Sequence, residues 1–353
     1  MKKKISLYLT LLLASLLAII CAFKFSASSS SEGTVQETIF FNQLQENQSF
    51  QLKLFYADPA MQQLESLLLT PHGLSANEET LAPYTEGFLA EETNNRLLKA
   101  VNIYRQKQAL TPLTYFYHYQ EEESGNFAFV SSSEGLNALY FVNLNTLEVS
   151  VPHLKSEEAY DPQYVYHIQE VNEVYYILTA GVNNLKARLY TFSPATLDLT
   201  LVDTLTTDTT ALSSKQYALD ASGNAIFTHK NGLRFLTPTG EKSLDLSFTP
   251  WQLISSKDFT CALTIQNGTL LYTLVNSQLD ILDTGSLTLP NTDLSLVSSF
   301  IKDDLLYTIT YDQKHPTYRY YISIHSLTTK TLVFCVGLSD YDGLALLQAE
   351  LLP

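Results

Sequence analysis

Short runs of apolar residues, separated by polar turns, fill most of this chain. From residue 126 onward one unit recurs. It consists of an apolar strand, a polar turn and a second strand that holds an apolar–aromatic pair. The first strands of the five copies are Phe127–Val130, Val174–Leu178, Ala225–Phe227, Phe259–Leu263 and Leu305–Ile309. Runs of this length, rich in β-branched and aromatic residues, predict strands, so the pattern predicts an all-β protein.

The copies recur with the period of a four-stranded blade. One aromatic residue marks the second strand of each copy, and successive markers are 50, 45, 37 and 49 residues apart. The markers are Tyr140, Tyr190, Phe235, Tyr272 and Tyr321. A blade of four strands needs about 40–50 residues, so the spacing predicts a β-propeller.

Flanking segments supply the other strands of each blade. Alternating segments such as Leu147–Val151, Leu197–Leu201 and Leu279–Leu282 predict outer strands with one solvated face. Segments such as 164–168 and 251–254 predict the inner strands. Asn231-Gly232 and Asn267-Gly268 each separate two strands and predict tight hairpin turns.

The two ends of the chain predict a sixth blade. Residues 344–352 read as an inner strand without a blade, whereas 38–41 and 50–55 read as a hairpin without an inner strand. Pairing them closes the ring and removes exposed edges. We therefore expect about six blades, and a five-bladed ring with separate tails is the alternative.

The segment 58–110 has a different pattern. Ala60–Leu69 and Glu91–Gln108 both place apolar residues at helical spacing, so we expect a small helical insert that packs on one face of the ring. The predicted division is an anchor or signal over 1–24, a serine-rich linker over 25–36, a hairpin over 37–57, this insert, and the propeller repeats over 111–353.

The first residues predict export. Three lysines at positions 2–4 precede 19 uncharged residues, Ile5–Phe23, and Lys24 follows them. That length approaches the roughly 20 residues of a membrane-spanning helix. The lysines predict an N-terminus inside and everything after residue 24 outside, as a single-pass cell-membrane protein with an extracytoplasmic domain. Secretion after signal cleavage, with Ser26-Ala27-Ser28 as the cleavage site, is the alternative.

Charge narrows the choice of partners. Beyond Lys24 the chain holds 17 basic and 36 acidic residues, a net charge of −19. Such a surface repels phosphate backbones, so we expect no nucleic-acid partner. It also repels anionic lipid headgroups. The expected partners are the membrane, through the N-terminal helix, and an envelope protein or ligand.

Motifs that carry chemistry are scarce. The chain has no Cys-x-x-Cys pair, nucleophile elbow, phosphate loop or dinucleotide fingerprint, so the sequence predicts no catalytic residue, no cofactor and no metal site. His167 and His325 lie in strands and are expected to be structural. Cys261 and Cys335 lie in apolar runs, which favours buried free thiols, with a disulfide as the alternative.

Four acids near the inner strands are the remaining candidates for chemistry. Propellers can host glycosidases, which use paired carboxylates as acid and base or nucleophile. The candidate channel acids are Glu170, Asp220, Asp258 and Asp293, each of which also occupies a position typical of a turn acid. The expected function is a non-catalytic, membrane-tethered binding or scaffold module; the alternative is a hydrolase or lyase that acts on extracellular glycans.

The repeated strand pattern resembles bacterial extracytoplasmic β-propellers, including the quinoprotein-like and lactonase-like groups. The likeness covers about two thirds of the chain and concerns strands, not functional residues. The Trp-Asp signature of another propeller group is absent, since the single tryptophan, Trp251, precedes Gln252. The resemblance implies the fold and assigns no site.

Overall fold

The structure is a computed structural model of the 353-residue chain. It describes residues 35–44, 49–58, 63–77, 79–84, 87–121, 125–132, 138–154, 163–171, 174–181, 186–206, 216–220, 222–229, 231–237, 240–256, 258–341 and 343–352. The predicted anchor and most of the serine-rich linker lie outside these residues. No helix in the described part of the chain is long and apolar enough to span a membrane.

Six antiparallel sheets form the six blades of a β-propeller, which confirms the predicted fold and favours six blades over five. Each blade is given from its inner to its outer strand. Blade 1 is β28 (Ala345–Leu351), β2 (Leu52–Ala57), β3 (Leu64–Thr70) and β4 (Gly73–Ala76); blade 2 is β7 (His118–Glu121), β8 (Phe127–Ser131), β9 (Leu139–Asn143) and β10 (Val149–Ser150); blade 3 is β12 (Gln163–Val171), β13 (Val174–Gly181), β14 (Lys186–Ser193) and β15 (Asp198–Thr206).

The remaining blades follow in chain order. Blade 4 is β16 (Tyr217–Leu219), β17 (Ala225–His229), β18 (Gly232–Thr237) and β19 (Gly240–Asp245); blade 5 is β20 (Gln252–Ser255), β21 (Thr260–Gln266), β22 (Thr269–Val275) and β23 (Ile281–Thr288); blade 6 is β24 (Leu294–Lys302), β25 (Leu305–Asp312), β26 (Tyr320–Ser326) and β27 (Thr331–Leu338). Two blades gain a fifth, outer strand: β1 (Glu37–Asn42) pairs with β27, and β11 (His153–Leu154) runs parallel to β15.

The ring closes through both ends of the chain, as the sequence predicts. The last strand, β28, pairs with β2 from Leu351 opposite Leu52 to Ala345 opposite Ala57. The predicted hairpin between 38–41 and 50–55 is wrong, because β1 pairs with β27 of blade 6 instead. The aromatic side chain of Phe40 packs there against Tyr318 and Tyr321, which explains why β1 lies on that edge.

Apolar side chains fill the spaces between neighbouring blades. Blades 2 and 3 share a cluster of four rings, Phe129, Phe141, Tyr175 and Phe192. Similar clusters join blades 3 and 4, 4 and 5, 5 and 6, and 6 and 1. Each blade is therefore apolar on both faces, which accounts for the high content of Leu, Tyr and Phe.

The segment 58–110 is only partly helical. The helix predicted over Ala60–Leu69 is wrong, since Leu64–Thr70 forms β3 and pairs along its whole length with β2. Strands β3 and β4 complete blade 1 instead of forming an insert. The second predicted helix is confirmed as α1 (Glu91–Lys107), preceded by a hairpin of β5 (Leu81–Tyr84) and β6 (Gly87–Ala90).

This hairpin, α1 and the loop that follows it lie between blades 1 and 2, not on a face of the ring as predicted. We call residues 81–116 the wedge. On one side Phe88 of the wedge stacks on Phe55 of blade 1, with ring centroids 5.5 Å apart. On the other side Leu97 and Val101 pack against Tyr140 and neighbouring residues of blade 2.

Recurring turns connect the third and outer strands. Leu147, Leu197 and Leu279, which open the predicted outer strands, are turn residues with φ of 58°, 59° and 76°. A left-handed backbone is unfavourable for a leucine. Asparagine side chains support two of these turns: Asn143 Oδ1 accepts the amides of residues 145 and 146, and Asn276 Oδ1 accepts those of residues 278 and 280.

The two Asn-Gly pairs have different roles. Asn267 and Gly268 have φ of 50° and 74° between β21 and β22, which confirms a tight hairpin turn. Gly232 is instead the first residue of β18. A Cβ atom at Gly232 would lie 2.3 Å from the Leu244 carbonyl oxygen, so glycine is needed there for close strand approach.

Candidate functional site

The four candidate channel acids do not share one position on the ring. Inner strands of a propeller run in one direction, so the ends of these strands define one face, which we call the lower face. Glu170 lies near the end of β12, and Asp220 and Asp258 lie in the turns after β16 and β20. Asp293 precedes β24 and therefore lies on the opposite, upper face.

Asp220 is a buried turn acid, with 3% of its surface exposed. Its Oδ1 atom accepts the backbone amides of Ser222 and Asn224 at 2.8 and 2.9 Å, and its Oδ2 atom accepts the Asn224 side-chain amide at 2.9 Å. This hydrogen bonding engages both oxygens of the carboxylate within the β16–β17 turn. The geometry gives Asp220 a structural task.

The other three acids are exposed. Asp293 Oδ2 pairs with Lys314 Nζ at 2.9 Å on the upper face. The Asp258 amide is hydrogen-bonded to Ser256 Oγ in the turn after β20. Among the described residues, no three His, Cys, Asp or Glu side chains come together in a way that could hold a metal ion.

Sequence reasoning missed two exposed acids at the lower face. Glu121 is the last residue of β7, and Glu350 lies near the end of β28; with Glu170 they end the inner strands of three neighbouring blades. Tyr119 Oη donates to Glu121 Oε2 at 2.8 Å. Burial lowers the pKa of Lys53, opposed by the charge of Glu350. All three share one sequence feature, a glutamate at or next to the last residue of an inner strand.

A cleft of about 450 Å³ opens on the lower face where the ring closes. Its walls come from three places: the segment before β2, the β3–β4 turn, and the ends of inner strands β24 and β28. The residues that line it are Ser49, Phe50, Gln51, Thr70, Pro71, His72, Lys302 and Leu352. It combines an apolar floor with the lysine and the histidine, and it contains no acid in an otherwise acidic molecule.

The cleft has a firm base. Phe50 is 5% exposed and packs edge-on against Phe334, with ring centroids 5.1 Å apart. The Leu352 amide donates to the Gln51 carbonyl at 2.9 Å, and Asn42 Nδ2 donates to the Pro71 carbonyl at 3.1 Å. Strand pairing between the two chain ends therefore forms the cleft before any ligand binds.

Polar side chains tie neighbouring inner strands together. Gln120 of blade 2 hydrogen-bonds both to the amide and to the carbonyl of Ile168 in blade 3. Gln252 of blade 5 bonds both to the hydroxyl and to the carbonyl of Ser299 in blade 6. Because these links span the channel wall, they stiffen the ring around its axis.

The two histidines that the sequence places in strands lie in β12 and β26. Burial and, to a smaller extent, the charge of the nearby His118 lower the pKa of His167 to about 4. Burial also lowers the pKa of His325, whose Nε2 atom lies 3.0 Å from the Thr288 carbonyl between blades 5 and 6. Both rings are therefore neutral at neutral pH.

Cys261 and Cys335 are buried free thiols, which excludes the disulfide alternative in this structure. Burial raises the pKa of both thiols, and Ser323 Oγ lies 3.7 Å from Cys335 Sγ. Protonated, enclosed thiols are poor nucleophiles. They act as packing groups in the core between blades 5 and 6.

Comparison with known proteins assigns the chain to no family. No protein-family model matches the chain, and no curated protein matches it. Among solved structures it is similar to the hydrazine synthase of Kuenenia stuttgartiensis, at 11% identity and a TM-score of 0.40 over 61% of this chain and 64% of that one. It is also similar to a nidogen/laminin complex, at 10% identity and a TM-score of 0.42 over 82% and 93%.

A third similar structure is TolB from Acinetobacter baumannii, at 11% identity and a TM-score of 0.40 over 82% of this chain and 63% of that one. The chain thus spans just under two thirds of the hydrazine synthase and TolB chains. The similar structures also include peptidases, and at these identities a likeness concerns the fold alone. The six-bladed β-propeller rests on the sheet topology of the chain itself, and no family is assigned.

Proposed function

We propose that the chain is a membrane-tethered, extracytoplasmic propeller that binds an envelope protein or ligand without catalysis. The cleft at the ring closure carries this proposal. It is formed in advance by paired strands, and it offers an apolar floor beside a cation. Concave sites that combine apolar side chains with a few polar groups are typical of binding surfaces.

The electrostatics of the cleft favour an anionic ligand group. In the described part of the chain, Lys302 has no ion-pair partner, whereas Lys53, Lys314 and Lys330 are each paired with an acid. A free lysine beside apolar side chains suits a carboxylate on an apolar body, such as an acidic segment of a partner protein. The uncharged stretch Ile5–Phe23 supports the tether.

Co-purification of cross-linked complexes from intact cells tests the proposal. The full chain, carrying a photo-activated cross-linker at Thr70 on the cleft wall, should capture the same partner in repeated experiments. Lys302→Glu should abolish that capture, since it places an acid beside the ligand's anion. Lys242→Glu, the same charge change on the exposed outer strand of blade 4, is the matched control and should leave capture unchanged.

Two outcomes contradict the proposal. Equal capture by the two variants would remove the cleft as the binding site. Release of the full chain from membranes by alkaline carbonate would instead remove the tether and leave the cleft in place.

A further inference from the structure

The wedge carries an exposed apolar surface that the ring does not use. Ile103 of α1 is 46% exposed, and Leu110 and Tyr115 of the following loop are 45% and 54% exposed. All three lie within 13 residues of one another. Isolated exposed apolar residues are common, but three within one short segment make that segment a candidate for interaction.

Two lysines flank Ile103 on α1. Lys99 and Lys107 lie four residues on either side of Ile103, so the three share one stripe of the helix. Both lysines are exposed, and within the described residues neither has an ion-pair partner. No acidic residue occurs between Glu92 and Glu121. The wedge surface is thus basic and apolar in a domain with a net charge of −19.

The opposite face of α1 is already occupied. Leu97 and Val101 are buried against blade 2, and the Arg105 guanidinium is hydrogen-bonded to Tyr140 Oη and to the Thr111 carbonyl at 2.6 Å. These contacts hold the helix at a fixed rotation. The stripe of Lys99, Ile103 and Lys107 therefore points away from the ring.

We infer that the wedge docks on the surface of the anionic lipid bilayer, with Tyr115, Leu110 and Ile103 in the interfacial layer and Lys99 and Lys107 against the headgroups. Aromatic and aliphatic side chains with flanking lysines are typical of elements that lie in this layer. The net charge of the ring repels the same headgroups, whereas the stretch from residue 93 to residue 120 holds no acidic residue. This inference deepens the proposed function and rests on its tether.

The chain length before the ring makes this contact possible. Residues 25–36 form the linker between the uncharged stretch and β1. Twelve residues span at most roughly 40 Å, whereas a domain of some 300 residues is about 50 Å across. A ring tethered in this way stays within its own diameter of the bilayer, and the wedge then sets which side faces the lipid.

Quenching by brominated lipid tests the inference. The full chain with Trp251→Phe receives one new tryptophan, either Tyr115→Trp in the wedge or Ile281→Trp on the outer strand of blade 5. Position 281 is 50% exposed and serves as the matched control. In vesicles of phosphatidylcholine and phosphatidylglycerol with brominated acyl chains, we expect several-fold stronger quenching at 115 than at 281.

A charge test completes the experiment. Lys99→Gln with Lys107→Gln should lower quenching at 115 to the level at 281, whereas Lys242→Gln with Lys314→Gln, an equal loss of charge at exposed positions elsewhere, should leave it unchanged. Vesicles of phosphatidylcholine alone should give weak quenching at both positions.

Failure of the inference and failure of the tether give different results. Equal quenching at 115 and 281 would overturn wedge docking, even when the chain resists alkaline extraction. Extraction of the chain, with quenching at 115 retained after it is added to preformed vesicles, would contradict only the tether. A Tyr115→Trp signal that responds to membrane proteins and not to lipid would assign the surface to a protein partner and overturn the inference.

Discussion

Blade 1 meets its two neighbours in different ways. Toward blade 6 it shares a large apolar core in which Leu52, Leu69, Phe334 and Ile322 are fully buried, and β28 connects its sheet to the far end of the chain. Toward blade 2 the wedge fills the gap, held by the Phe55–Phe88 stack and by helix packing on blade 2. One side is closed by paired strands, the other by an inserted helix.

The two junctions of blade 1 therefore differ in their contribution to the stability of the fold and in the surface that they expose. Strand pairing and a shared core make the junction of blades 6 and 1 part of the cooperative fold, and the cleft lies there. The wedge is attached by side-chain packing and a few side-chain hydrogen bonds, without strand pairing to either blade, and it exposes an apolar, basic surface. Elements that depend on few packing contacts can open locally without unfolding the domain.

Removing β28 should have the largest effect. Deletion of residues 345–353 leaves β2 with an unpaired edge and uncovers the core between blades 6 and 1. Domains are stable by only about 5–15 kcal/mol, so we expect loss of the cooperative thermal transition and association through the open edge. Calorimetry and size-exclusion chromatography measure both. Deletion of Pro353 alone is the control, and a folded monomer in both truncations would show that β28 does not close the ring.

Matched leucines compare the two junctions directly. Leu69 of blade 1 and Leu97 of the wedge are 0% and 1% exposed. Leu69→Ala should lower the free energy of unfolding by about 3–5 kcal/mol. Leu97→Ala should lower it by about 2 kcal/mol, because α1 can detach locally and relieve the cavity. Denaturant unfolding gives the free energies. Hydrogen exchange should show faster opening of α1 alone in Leu97→Ala, and equal acceleration across blades 1 and 2 would contradict a separable wedge.

The sequence predicts the fold correctly where the local apolar pattern and the pairing of the strands agree. The five repeats of apolar strands predict five blades. The closure of the ring is predicted by the segments near the two ends of the chain that have no partner within these repeats. The helix predicted over 60–69 failed because Leu64, Leu67, Leu68 and Leu69 fit a helical spacing as well as a strand, and only pairing with β2 decides between them.

The candidate site was less predictable for a physical reason. The cleft joins residues 49–51, 70–72, 302 and 352, which only ring closure brings together. The position of Asp220 beside an inner strand predicts a channel acid, yet its Oδ1 atom accepts the amides of its own turn. A sequence shows that an acid lies in a turn, but not which donors its side chain meets.

Acid should lower the free energy of unfolding of the ring more than it lowers the stability of the wedge. The pKa of His167 is lowered to about 4 in the folded state, against roughly 6.5 when unfolded. Stability is therefore complete above pH 6.5 and falls as the pH decreases toward 4, because the unfolded chain binds the proton first. We expect a loss of about 2 kcal/mol, less than the full shift implies, since His167 is only half-buried.

Denaturant titrations between pH 7 and pH 4 measure this slope. His167→Gln should flatten it, and His325→Gln should flatten it further, since burial lowers the pKa of His325 as well. The control is His153→Gln, which changes an exposed histidine. An unchanged slope in both buried-site variants would mean that other groups control the acid response.

The smallest effect should come from relieving a strained turn in blade 2, beside the wedge. Leu147 has φ of 58°, and Leu197 has the same conformation in blade 3, where its side chain also packs against the core between blades 2 and 3. Leu147→Gly should raise the free energy of unfolding by about 0.5–1 kcal/mol, because glycine adopts a left-handed backbone without a steric penalty. Leu197→Gly should gain less, since it also loses packing. Thermal denaturation compares the two. Because the turn belongs to blade 2, the hydrogen-exchange rates of α1 should not change in Leu147→Gly. Slower exchange in α1 would mean that the wedge and blade 2 open as one unit. The distinction between the two junctions of blade 1 would then be wrong.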